Sequence, residues 1–180
     1  MGKGMPAALV MSNLQALVKA FAIAERRPQR LCEQINWAVC GNLPEGRFIT
    51  FFYGLLETES RRFVYANAGH NPPLLVRRDG RATRLTEGGT VLGVFPESRY
   101  AQGEVRLFTG DRLIFFTDGI TEAANDTGEL FGEERLLRLL VESRAQSASE
   151  LRETILDAVA DFSGGSFQDD VTLVTQAVEG

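Results

Sequence analysis

Apolar residues recur at three- and four-residue steps at both ends of this 180-residue chain, and the rhythm breaks in the middle. Val10, Leu14, Leu17, Phe21 and Ala24 mark one face of a helix running from Pro6 to about Arg26, with Ser12, Gln15 and Lys19 on another. Pro28 suits the first turn of a second helix, with Leu31, Ile35 and Val39 inward and an end near Gly41. From residue 48 the blocks become short. Phe48-Ile49-Thr50-Phe51-Phe52-Tyr53 reads as a strand buried on both faces, and Arg62-Phe63-Val64-Tyr65-Ala66 as its hairpin partner. Strands between two helix pairs suggest layers, with two sheets face to face and helices on the outsides. The alternative is one antiparallel sheet with helices on one face, and strands apolar on both faces favour the first.

The remaining elements follow the same reading. Residues 74–77 form a strand, Asp79-Gly80 a hairpin turn, and residues 82–85 the return. Glu87-Gly88-Gly89 reads as loop. Residues 104–108 and 112–117 read as a further pair joined at Gly110-Asp111. Residues 133–141 carry Leu136, Leu137 and Leu140 on one helical side. Ser147 and Glu150 fit a capping box ahead of Leu151, Ile155, Val159 and Phe162, and Gly164-Gly165 ends that helix. Residues 171–178 make a terminal strand. With no repeat, linker or low-complexity tract, residues 1–180 read as one domain. The expected fold is α+β: two packed antiparallel β-sheets flanked by helix pairs, an α/β/β/α sandwich.

Composition removes several functions. The net charge is −5, from 24 acidic and 19 basic side chains, which argues against a nucleic-acid binder. The basic pairs Arg26–Arg27, Arg61–Arg62 and Arg77–Arg78 read as solvated surface charge. One histidine and two cysteines are too few for a Cys/His zinc site. Cys32 and Cys40 lie about 12 Å apart along one helix, too far for a disulfide, and read as buried, inert thiols of a reducing compartment. Ser12, Asn13, Gln15 and Lys19 interrupt the N-terminal apolar run, so a secretory signal is not expected, and no run reaches membrane-spanning length. A cytoplasmic protein with no membrane partner is the expectation. Trp37 and the phenylalanines read as core. There is no Walker motif and no Gly-x-Ser-x-Gly elbow.

Three acidic residues stand out by position. Asp118 ends an apolar strand and is followed by Gly119. Asp169 and Asp170 immediately precede the terminal strand. If those strands are antiparallel neighbours, the carboxylates converge, Asp118 and Asp169 within about 8 Å, and need a cation between them. All-oxygen ligands suit Mg2+ or Mn2+. The alternative reading is an ordinary Asp-Gly turn and a solvated loop. His70, in Ala68-Gly69-His70-Asn71-Pro72-Pro73, is either a structural turn residue or a general acid or phosphate donor.

Five ordered stretches carry a resemblance. They are Gly2-Lys3-Gly4-Met5-Pro6-Ala7-Ala8-Leu9, residues 65–73, Gly110-Asp111 with Phe116-Thr117-Asp118-Gly119-Ile120-Thr121-Glu122-Ala123, Phe131-Gly132, and Asp169-Asp170-Val171-Thr172-Leu173. Together they resemble the SpoIIE/RsbU-like branch of the PPM-type metal-dependent serine/threonine phosphatases. The resemblance implies the layered fold above and hydrolysis of phosphoserine or phosphothreonine on a protein by a metal-bridging water, with two Mn2+ or Mg2+ ions. It implies a phosphorylated STAS-type anti-sigma-factor antagonist as the partner in bacterial partner switching. Asp118 matches the Asp of the family's Asp-Gly metal motif, and Asp169 its C-terminal metal ligand. Asp170 stands where relatives carry Asp or Asn.

The family pattern also has two to three earlier strands that include an early metal-binding Asp, and an Asp-Val-Ser or similar triplet just before the Gly-Lys-Gly, whose Ser position Met1 occupies. The chain is therefore expected to lack those first strands and both N-terminal carboxylates, to be weakly active, and to expose sheet edges through which it forms a homodimer. Two rival readings are a non-catalytic module that binds a STAS protein or an anti-sigma kinase, and another carboxylate-metal hydrolase such as a phosphodiesterase.

Overall fold

The computed structural model describes residues 5–165, 167 and 169–179. The Gly2-Lys3-Gly4 part of the first matching stretch lies outside the described residues. The element order is α1 (Met5–Phe21), α2 (Pro28–Val39), β1 (Phe51–Glu57), β2 (Arg62–Ala68), β3 (Leu74–Val76), β4 (Ala82–Arg84), β5 (Gly88–Gly89), β6 (Gly103–Arg106), β7 (Arg112–Phe116), α3 (Asp118–Thr121), α4 (Gly132–Glu142), α5 (Ala148–Phe162) and β8 (Leu173–Ala177). It is an α+β fold with two sheets, each belonging to a separate compact unit with its own helices.

The first unit comprises residues up to His70 together with 85–106. Its sheet is built on β2, which pairs antiparallel with β1 from Phe51↔Ala68 to Glu57↔Arg62, antiparallel with β6, and parallel with β5. Helices α1 and α2 cover one face. Leu14, Leu31, Cys32, Ile35 and Val39 pack with Ala66, Ala68, Leu92 and Tyr100, while Phe51 and Tyr53 lean in from β1. The alternate residues of β1 and β2 stack their rings, Phe52 on Tyr65 at 5.4 Å and Tyr65 on Phe63 at 6.0 Å. Gly54 makes room for that stack, since a Cβ there would sit 2.4 Å from the Phe63 ring.

The second unit comprises residues 71–84 and 107 onward. Its sheet runs β4-β3-β7-β8, antiparallel throughout. Leu74, Val76, Ile114 and Phe116 pack with Leu136 and Leu140 of α4 and Leu151, Ile155 and Val159 of α5. The capping box forms as its residues require: Ser147 Oγ accepts from the Glu150 N–H, and Glu150 accepts from the Ser147 N–H. Arg112, at the start of β7, turns its guanidinium to the end of α4. It donates to the carbonyls of Ser143, Arg144 and Gln146, which no helix bond satisfies.

Several expectations are corrected. Helix α1 stops at Phe21, leaving Ala24 exposed, because Glu25 takes the Arg27 N–H and guanidinium and Arg27, preceding Pro28, is extended. The first strand begins at Phe51, not Phe48, and is half-buried. Phe48 is exposed, and Ile49 instead bridges to Leu92. Gly88–Gly89 is a short strand, not loop. Only glycine fits there, since a Cβ on Gly88 would stand 1.7 Å from the Asn67 carbonyl oxygen.

The pair expected from residues 104–108 and 112–117 does not form. β6 pairs with β2, whereas β7 pairs with β3 and β8. Between them Asp111 is buried and accepts from the Phe108 N–H and from Arg77, so the segment turns about a carboxylate and not as a hairpin. Arg77 is accordingly an ion-pair partner and not merely solvated charge. Trp37 is 74% exposed and Phe95 63%, so the aromatic residues are not all core. Of the two free thiols Cys32 is buried, but Cys40 is only half-buried at the end of α2.

Two outcomes follow from these environments. Replacing Arg112 by Met strands the carbonyl oxygens of Arg144 and Gln146, while that of Ser143 keeps the Gln146 N–H, and is expected to lower unfolding free energy by about 3 kcal/mol in urea titrations. Burial pushes the Cys32 thiol from 9.0 up to about 12 and the Tyr100 phenol from 10.0 up to about 12. The folded state thus keeps both groups protonated where the unfolded chain ionises them. Their contribution is intact below pH 9 and lost as pH rises toward 12. The urea midpoint is expected to fall between pH 8 and pH 11, and to fall less in Cys32→Ala.

Candidate functional site

Strands β7 and β8 run antiparallel with Phe116 opposite Leu173, so the residue that follows β7 meets the residues that precede β8. Thr117 fastens that meeting. Its N–H donates to the Thr172 carbonyl at 3.1 Å, its Oγ1 accepts from the Thr172 N–H at 2.9 Å, and the same hydroxyl donates to the Asp170 carbonyl at 3.0 Å. Immediately beyond, Asp118 opens the single turn α3, closed by the Glu122 N–H on the Asp118 carbonyl at 2.7 Å.

Gly119 is buried against the opposing segment. A Cβ there would lie 2.6 Å from the Asp170 carbonyl oxygen and 3.4 Å from that of Asp169. The absence of a side chain is what lets the two segments touch. The backbone of Asp118 and Gly119 therefore lies beside that of Asp169 and Asp170 at one end of the second sheet. All three carboxylates face solvent. Asp118 Oδ1 accepts from the Gly119 N–H at 3.1 Å, and Asp169 Oδ1 from the Asp170 N–H at 2.9 Å. Among the described residues neither Asp118 nor Asp170 has a basic side chain as partner.

The donor chemistry fits a hard divalent cation in kind: carboxylate oxygens on rigid strand ends. It falls short in number. Among the described residues no group of three or more His, Cys, Asp or Glu side chains stands close enough together to hold a metal ion.

His70 belongs to the first unit, just past β2. Buried Asn67 holds its backbone on both sides, accepting the His70 N–H at 2.8 Å and donating to the His70 carbonyl at 2.9 Å. That clip acts on the His70 backbone and is made by the Asn67 side chain. Sequence reasoning overlooked the part Thr117 plays. A hydroxyl between the last apolar residue of a strand and an Asp-Gly pair was the available signal.

Gly119→Ala forces a methyl group into the Asp170 carbonyl, and Thr117→Val deletes two hydrogen bonds. Each is expected to cost about 1–3 kcal/mol in thermal or urea unfolding. Broadened or shifted amide resonances are expected at Asp169 and Asp170 in both variants, with the α1 and α2 amides unmoved.

Comparison with known proteins adds an independent line. A family model described as stage II sporulation protein E (SpoIIE) matches residues 1–179. Phosphoserine phosphatase RsbU of Bacillus subtilis (strain 168) is 32% identical over 174 residues, covering 96% of this chain and 52% of that protein. The chain thus spans about half the length of that relative. A crystal structure of the RsbU and RsbW domains of Rv1364c from Mycobacterium tuberculosis superposes with a TM-score of 0.81 at 26% identity, over 97% of this chain and 49% of that one. RsbX in complex with magnesium gives a TM-score of 0.67 at 20% identity, over 97% of this chain and 75% of that one, a likeness of fold alone.

Proposed function

Because the chain belongs to the SpoIIE family, in the SpoIIE/RsbU-like branch of the PPM-type phosphatases, we propose that residues 1–180 act as one phosphatase domain that hydrolyses phosphoserine or phosphothreonine on a protein. The observation that supports this reading is the Thr117–Gly119 junction, where the backbone segment bearing Asp118 touches the one bearing Asp169 and Asp170. Oxygen donors at a sheet end are what a phosphoryl-transfer site built on Mn2+ or Mg2+ requires.

In this reading Asp118, Asp169 and Asp170 hold the cation. When bound, it supplies positive charge against the phosphoryl oxygens. Thr117 and Gly119 act as positioning residues, fixing the separation of the two carboxylate-bearing segments. The β7–β8 pairing makes that separation a property of the sheet and not of a loop. His70 has no assigned part in the chemistry.

The substrate in this proposal is a phosphorylated STAS-type anti-sigma-factor antagonist in the cytoplasm. The 32% identity to a protein named phosphoserine phosphatase RsbU supports it, and so does the fold shared with a chain that carries an RsbU and an RsbW domain. No helix among the described residues is long and apolar enough to cross a membrane. Self-association is proposed through β1, which among the described residues pairs along one edge, with β2. A second reading, a phosphatase-like module that binds such a partner without turning it over, is favoured by the short donor set.

The test is phosphate release from a phosphoserine peptide with and without Mn2+. Slow, metal-dependent release is expected, falling a further 10²–10³-fold in Asp118→Asn. Release unaffected by Asp118→Asn, or by removal of Mn2+, overturns the proposal. No release with retained binding of the phosphoprotein selects the second reading.

A further inference from the structure

At the end of the second sheet away from Asp118, seven residues and roughly 20 Å back along β7, a second feature stands apart from the carboxylates. The β3–β4 turn and the segment before β7 enclose an open cleft of about 520 Å³, lined by Arg77, Arg78, Arg81, Asp79, Phe108 and Asp111 among others. Three guanidinium groups fall within five residues of a chain whose net charge is −5.

The arginines are not equivalent. Arg77 is anchored from below: its NH1 donates to buried Asp111 at 2.5 Å, and its guanidinium lies 5.5 Å from the centroid of the Phe108 ring. Arg81 is oriented by Asp79, through its N–H at 3.0 Å and its Nε at 2.8 Å. Arg78 is exposed, and among the described residues its guanidinium makes no ion pair. Its stem lies over Gly110, where a Cβ would stand 3.0 Å from the Arg78 Cδ. Gly110 therefore sets the side chain down along the cleft wall. Phe108, 55% exposed, adds an aromatic surface beside these donors.

We propose that this cleft is a docking site for an oxyanion-bearing peptide segment of a protein partner. Arg78 is the principal contact, Arg81 the auxiliary one, and Phe108 the apolar shelf for the flanking side chain. Guanidinium groups pair with carboxylate and phosphate oxygens through two parallel N–H donors, which is the chemistry the cleft offers. An exposed aromatic beside a cation suits a peptide better than a free inorganic ion. The site is separate from Asp118 and does not rest on phosphatase activity.

The experiment measures fluorescence anisotropy of fluorescein-labelled hexaglutamate, a phosphoserine hexapeptide and a hexaglutamine control against the 180-residue chain at low salt. Expected is binding of an anionic peptide, with the control unbound and the affinity reduced at least tenfold in Arg78→Glu. The melting temperature of that exposed variant should match the parent's. Amide shifts on titration should fall at Gly80, Thr109 and Gly110. The tighter of the two anionic peptides names the oxyanion. Equal binding of the hexaglutamine control, no anionic binding at all, unchanged affinity in Arg78→Glu, or shifts confined to Asp118 and Asp169 overturns the proposal. Phosphate release from the phosphoserine peptide by Arg78→Glu is a separate readout and is expected to be unchanged for peptides shorter than the distance between the two ends of β7.

Discussion

Everything at the candidate site depends on one hydroxyl. Thr117 Oγ1 is acceptor for one strand-side amide and donor to the carbonyl two residues earlier, so it closes the gap between two segments more than 50 residues apart in sequence. Carboxylates at neighbouring strand ends repel, and charge alone drives them apart. The hydroxyl and the missing side chain at Gly119 oppose that drift with neutral contacts. Such contacts hold at any salt concentration, whereas the carboxylate repulsion is screened.

The second sheet was the more legible half of the fold. Its hairpin turn at Asp79-Gly80, the Ser147 capping box and the spacing of Leu151, Ile155 and Val159 are local signals, each read within a turn or two of chain. The neighbouring placement of β7 and β8 was legible only conditionally, from the apolar run ending at Asp118 and the one starting after Asp170. What failed was non-local. Nothing near Gly103–Arg106 says that this strand pairs back to β2, nor does anything near Gly88–Gly89 betray its parallel contact. Both depend on β2 offering backbone edges to partners on either side.

The aromatic residues misled for a related reason. Hydrophobic character reports that a residue can be buried, not that a partner is available to bury it. Phe52, Phe63 and Tyr65 find one another through the β1–β2 register. Phe108 sits where the chain bends around Asp111 and is left half in water beneath Arg77. The buried Asp111 could not be read from its Gly-Asp dipeptide, because the guanidinium that permits its burial comes from 34 residues earlier.

The chain's single tryptophan carries a spectroscopic consequence. Trp37 sits on the outer face of α2 with three quarters of its surface in solvent, while buried Asn36 beside it clamps Gly93, Phe95 and Pro96. Its indole emits from water before the protein unfolds and after, so the wavelength of intrinsic fluorescence is nearly blind to loss of the core. The same exposure makes that indole open to collisional quenchers in the native state, and any macromolecule that settles on α2 shields it. Its emission thus reports what approaches the helix surface, while the packed phenols of Tyr65 and Tyr100, through near-ultraviolet dichroism, report whether the first unit is folded.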